Sequence, residues 1–167
     1  MEKEIKIVRS TKRKRTIQAR QRQGVIEILA PAAMSDEELQ PHIDSLTRRL
    51  NNRVEANSLS DEELAERAKE INEEYFDGQL TWKSIRWVSN QNRRFGSCTP
   101  SKGTIRLSHR LAKMPQFVID YVIVHELAHL LEANHGPKFW QLVSRYEKSE
   151  RARGYLMAVG LEELEEE

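Results

Sequence analysis

The chain has a single cysteine, Cys98, in 167 residues, so no intrachain disulfide can form. It has no long apolar run either. The most hydrophobic stretch, around Val118 to Leu131, is interrupted by Asp120, His125, Glu126 and His129, and a membrane span needs roughly 20 apolar residues in a row. The start, Met1 to Lys6, lacks the apolar core of a secretory signal, and with the single cysteine this leads to the expectation of a cytoplasmic protein without a membrane partner. Charge of one sign is lacking too. Twenty-seven Lys and Arg face 26 Asp and Glu, a formal net charge of +1, which gives no general case for nucleic acid or a lipid surface. No internal repeat is found, and the acidic tail is the only low-complexity segment.

What is present is unevenly placed. Seven basic residues and no acidic one lie between Arg9 and Arg22, including Lys12-Arg13-Lys14-Arg15, whereas Glu162 to Glu167 carries five glutamates. The basic run is compatible with phosphate contacts, but a turn between strands is also where solvated charge accumulates, and the solvated turn is the preferred reading. With 38% hydrophobic residues the chain can fill a modest core.

Ile5-Lys6-Ile7, Thr16 to Ala19 and Val25 to Ile28 alternate as half-buried strands do, and are read as a small antiparallel meander. Ser35 with Glu38 forms a capping box before Leu39, Ile43, Leu46 and Leu50, predicting a helix from Asp36 to about Arg53. Asn51, Asn52, Asn57 and Ser58 read as a linker. Ser60 with Glu63 opens a second helix, stopped by Asp77-Gly78. Ile85 to Val88 and Thr104 to Leu107 read as strands joined by a long loop, Asn90 to Gly103. A helix is expected from Pro115 to about Leu131, and another from Pro137. The expected division is residues 1–56 as β-meander plus helix and 57–167 as a catalytic region, the two forming one compact unit.

His125-Glu126-Leu127-Ala128-His129 is an H-E-x-x-H on a predicted helix. Residues four apart share a face, so two imidazoles can grip one ion. Glu126 then projects to a neighbouring part of the surface, where a carboxylate can take a proton from a zinc-bound water without itself becoming a ligand. Catalytic zinc normally takes three protein ligands. His135 is the candidate third. On an unbroken helix it would lie about 9 Å along the axis from His129 and about 120° around it, so the helix must break. Asn134 and Gly136 accept left-handed geometry, and the residue before Pro137 avoids the helical region. Three of the five histidines fall in this segment, and an apolar face is a costly place for them without a shared partner.

Other residues carry weaker signals. Arg93, Arg94, Gly96 and Ser97 lie in the long loop, and Arg94 is a candidate oxyanion or substrate contact. The plainer reading is a structural loop in which Gly96 supplies an unusual backbone angle. His109, at a strand end, is a second candidate contact, set against simple solvation. Cys98 is read as a buried small residue, and Phe139 with Trp140 as packing that pins the turn carrying His135.

The H-E-x-x-H with a histidine six residues on is shared with metzincins, which place a glycine where this chain has Glu132. A wider pattern resembles the YgjP-like metallopeptidases, allied to the SprT-like and WLM zinc peptidases. Its pieces are Val8-Arg9-Ser10, Lys12 to Thr16, Ala30-Pro31, Ser35, Arg94 to Cys98, Gly103 to Leu107, Ile119 to His129, and Asn134 to Trp140. Two departures are Phe95, where the family usually has tryptophan, and the aliphatic residues at Leu46 to Leu50. The resemblance implies an α+β, zincin-like fold, with a small, mostly antiparallel sheet beside the metal-bearing helix, and one zinc ion on His125, His129 and His135.

The expected function is a zinc metallopeptidase acting on peptide or protein, with an edge strand near Ile105 aligning the substrate. Two alternatives stand beside it. One is a metal-dependent nucleotide or phosphoanhydride hydrolase, disfavoured because magnesium prefers oxygen ligands. The other is a nucleic-acid-associated adaptor that uses the basic N-terminus.

Overall fold

A computed structural model describes residues 3–91 and 93–159, without the side chain of Asn57. The acidic run from Glu162 lies outside the described residues. The elements are β1 (Ile5–Ser10), β2 (Gln18–Arg22), β3 (Val25–Pro31), α1 (Asp36–Ser58), α2 (Asp61–Phe76), β4 (Ser84–Val88), β5 (Gly96–Thr99), β6 (Thr104–Ser108), a 3-10 stretch (His109–Lys113), α3 (Gln116–Ala128), α4 (Pro137–Val143) and α5 (Ser149–Ala158). The fold class is α+β, as expected. By contacts the chain divides into two compact units, Met1–Glu55 and Ala56–Glu167.

In the first unit β3 is the central strand. Its alternation buries Ile26, Ile28 and Ala30 against Leu39 and Ile43 of α1. Gln23 and Gly24 both take positive φ, at 50° and 82°, the geometry of a two-residue hairpin turn, and β2 pairs antiparallel with β3. The expected meander is corrected by β1, which pairs with the other edge of β3 and runs parallel to it. Alternation shows which face of a strand is buried but not which neighbour it takes.

The capping box at the head of α1 is reciprocal: Glu38 N donates to Ser35 Oγ at 3.2 Å and Ser35 N to Glu38 Oε2 at 3.2 Å. Asn51, Asn52, Asn57 and Ser58 are helical rather than a linker. Asparagine costs a helix only a few tenths of a kcal/mol, and Leu50 and Ala56 on either side are drawn into packing. In α2, Ser60 caps the N-terminus and Asp77 ends the helix in left-handed geometry at φ 54°.

The second unit's sheet has the order β4-β6-β5. β4 runs parallel to β6 and β5 antiparallel to it, so the pairing is mixed rather than mostly antiparallel. The segment read as one long loop contains β5 and a tight return through Pro100 to Gly103, where Gly103 has φ 64°. Gly-Ser-Cys-Thr shows no apolar alternation, so its strand state comes from pairing with β6. Ile105 lies on the central strand and cannot be the edge; β5 is the edge strand that packs on α3.

Eleven consecutive residues of α3, Val118 to Ala128, are buried. The helix is wrapped by α2, the sheet, α4 and α5. Asp120, an acid in that row, accepts two bonds from Arg67 of α2, at 2.9 and 2.7 Å, and one from Gln116 at 2.8 Å. This bidentate pair meets the need of a buried carboxylate for partners and ties α3 to α2. No helix among the described residues is long and apolar enough to cross a membrane.

Candidate metal centre

His125 and His129 sit one turn apart at the end of α3, with ring centroids 5.0 Å apart. The helical ladder tightens there and closes with Glu132 N on Ala128 O at 2.9 Å. Leu130 N and Leu131 N bond back to Leu127 O and Ala128 O at 3.0 Å each, and the chain leaves the helix through Glu132 to Gly136 before Pro137 opens α4. This break returns His135 to the helix end. Its ring lies 5.1 Å from that of His125 and 4.8 Å from that of His129, and the candidate ligand nitrogens of the three all fall within 4.8 Å of one another.

Second contacts set the orientation. His129 Nδ1 faces the carbonyl of Glu132 at 3.1 Å. A carbonyl accepts only, so that nitrogen carries the proton and Nε2 keeps its lone pair. His129 Nε2 in turn faces His135 Nε2 at 3.0 Å, a pair of imidazole nitrogens that needs a cation or proton between them. Trp140 Nε1 donates to His135 O at 3.1 Å and pins the turn. Phe139, fully buried, stacks on His129 at 4.5 Å and lies within 4.9 Å of the other two rings.

The donor set fits zinc. Zinc bound at about 2.0–2.1 Å needs ligand nitrogens about 3.4 Å apart; the Nε2 atoms of His129 and His135 stand 3.0 Å apart, and each histidine offers a nitrogen within 4.8 Å of the others. The Nδ1 atoms of His125 and His135 are buried without a hydrogen-bond partner among the described residues, whereas that of His129 has the Glu132 carbonyl. Burial first, then the neighbouring His129, His135 and Arg153, hold His125 well below the usual histidine range, so its lone pair is available at neutral pH.

Glu126 is only 2% exposed, and a carboxylate so buried must be paired or hydrogen-bonded. Its Cγ and Oε1 pack against Gly96 at the start of β5. Cys98, two residues on, is half-buried, and burial followed by the charge of Glu126 pushes its thiol up to about 12.

The YgjP-like, metallopeptidase domain family matches residues 61–154. The chain belongs to that family. All three histidines and Glu126 lie inside the match. The crystal structure of the metallopeptidase zymogen of Pyrococcus abyssi abylysin is similar over 60% of this chain and 95% of that one, with 24% identity and a TM-score of 0.48. No curated protein matches.

Within this YgjP-like domain the weaker candidates are not members of the three-histidine cluster. Arg94 is exposed, and its guanidinium makes no hydrogen bond or ion pair among the described residues; its carbonyl accepts from Arg110 at 3.3 Å. His109 is buried at the head of the 3-10 stretch rather than solvated. Sequence reasoning missed Arg110, which reaches the carbonyls of Gln91 and Arg94 and lies over the Phe95 ring, fixing the approach to β5. It also gave Gly96 the wrong reason, since its φ is not positive. In the first unit Arg9 bonds Asp36 and the carbonyl of Met34, and Arg20 pairs with Glu27 at 2.5 Å, whereas Lys12, Lys14 and Arg15 are exposed.

Proposed function

We propose that the chain is a zinc-dependent peptidase, with His125, His129 and His135 holding one zinc ion and Glu126 acting as general base. The observation that carries this reading is the convergence of three imidazoles on one point with a buried carboxylate one residue beyond the first of them. When bound, zinc supplies Lewis acidity, making water a better nucleophile and polarising the scissile carbonyl. The side chains do the rest. His125 stays unprotonated and His129 is fixed in one tautomer by Glu132 O. Glu126 takes the proton from the attacking water at a carboxylate oxygen and returns it to the leaving amine nitrogen. Phe139 closes the centre on its protein side and keeps the three rings together. An extended peptide is aligned by strand addition at β5, the sheet edge beside Glu126, in place of the Ile105 strand.

The zinc chemistry is assigned wholly to the second unit. Arg94 is not needed in this mechanism. The nucleotide reading gains no observation here and serves as an arm of the test.

The test is a paired screen of purified protein on a peptide library and a nucleotide panel, with zinc content measured for wild type and Glu126→Gln. Peptide cleavage is expected in the wild type, reduced at least about a hundredfold in the variant, with zinc equally retained. A zinc-loaded Glu126→Gln protein with full activity contradicts the mechanism, and turnover confined to nucleotides contradicts the substrate class.

A further inference from the structure

β5 contributes to the site through an atom it lacks. Gly96 is buried at the start of that strand, paired with Leu107 of β6. Positive φ among the described glycines occurs at Gly24, Gly78 and Gly103, so the backbone at Gly96 admits any residue. The restriction is space. A Cβ at Gly96 would stand 3.0 Å from Glu126 Cγ, 3.0 Å from Glu126 Oε1 and 3.2 Å from the carbonyl oxygen of Arg106. By contrast, a Cβ at Gly136 or Gly154 meets nothing within 4 Å.

The carbonyl on one side of this slot belongs to the central strand, held in the ladder from both edges. It cannot yield without breaking pairing. The glutamate on the other side is a side chain and not a paired strand, so a side chain at position 96 presses on Glu126 first. We propose that Gly96 is a positioning residue: the empty space at its α-carbon is the seat of the Glu126 carboxylate and sets its direction. The consequence for catalysis rests on the reading of Glu126 as general base. Proton transfer requires that carboxylate within hydrogen-bond reach of the attacking water, and catalytic groups tolerate displacement of only about 0.5 Å.

The test combines kinetics with a stability cycle. Gly96→Ala and Gly96→Val are made in the wild-type and Glu126→Ala backgrounds, with Gly154→Ala as a control at an open position. For Gly96→Ala, kcat on a cleaved peptide is expected to fall at least about tenfold, with KM and zinc per chain unchanged, and Gly96→Val to fall further. Melting temperature reads the contact independently of activity: each Gly96 substitution lowers it in the wild type and lowers it less in the Glu126→Ala background, where the clash is relieved. Wild-type kcat in Gly96→Ala alongside an inactive Glu126→Gln overturns the proposal. So does an equal loss of melting temperature in both backgrounds, the result expected of a purely structural glycine. Failure of the peptidase reading is distinct: no peptide is cleaved, while the coupling in melting temperature remains.

Discussion

Glu126 and His125 are each 2% exposed, on a helix whose other buried positions are nearly all apolar. Burying ionisable groups costs stability that an apolar residue would not, so two of them side by side in an apolar row mark a place where packing gives way to chemistry. That conflict was legible in the sequence, because spacing alone puts His125 and His129 on one face. The role of Gly96 was not legible. Its reason is a missing Cβ opposite a side chain 30 positions away, which exists only once β5 packs on α3. Cys98 gives a test at this scale. With its thiol raised to about 12, the folded protein keeps it protonated where an unfolded chain ionises near pH 9. Above that pH the unfolded state holds fewer protons, so this group's contribution to stability declines as pH rises toward 12. The expected observation is slow reaction of Cys98 with a thiol reagent at pH 8 and rapid reaction after denaturation; equal rates would contradict the burial described here.

At the scale of elements, the turn between α3 and α4 decides whether there are two ligands or three. Gly136 and Pro137 announced a break, but left the return of His135 only permitted. Packing supplies the remainder, through Trp140 Nε1 on His135 O and Phe139 among the three rings. Trp140→Phe keeps the ring volume approximately and removes the bond. Zinc affinity is expected to fall about tenfold or more, measured by competition with a chelator, with the far-ultraviolet circular dichroism unchanged; unaltered affinity would show that the bond does not set the ligand. The elements misread from sequence share a cause. β5 lacks a hydrophobic pattern of its own, β1 takes a parallel partner that alternation cannot name, and α1 runs through asparagines held by apolar neighbours. Each is fixed by tertiary contacts, while the caps at Ser35, Ser60 and Asp77 are local and were readable.

At the scale of the whole molecule, the family match from residue 61 to 154 falls entirely inside the second compact unit. A fragment of residues 56–167 is therefore expected to bind zinc as the full chain does, measured as metal per chain after dialysis; a fragment that folds but binds none would assign the first unit a part in the centre. The Arg67–Asp120 pair inside that unit supports the metal-bearing helix. Asp120 is buried and Arg67 about one-third exposed, so Arg67→Ala is expected to cost about 2–3 kcal/mol, below the range for a fully buried pair, read from denaturant unfolding of the zinc-free protein. A change under about 0.5 kcal/mol would mean that water satisfies the aspartate.

The zinc-peptidase reading depends on three histidines sharing one ion. X-ray absorption at the zinc edge of purified protein, with metal content for wild type and His135→Ala, addresses that directly. One zinc per chain, imidazole nitrogen in the ligand shell, no sulfur, and marked loss of metal in the variant are expected. Absence of zinc binding, a sulfur ligand from Cys98, or undiminished zinc in His135→Ala would contradict that reading.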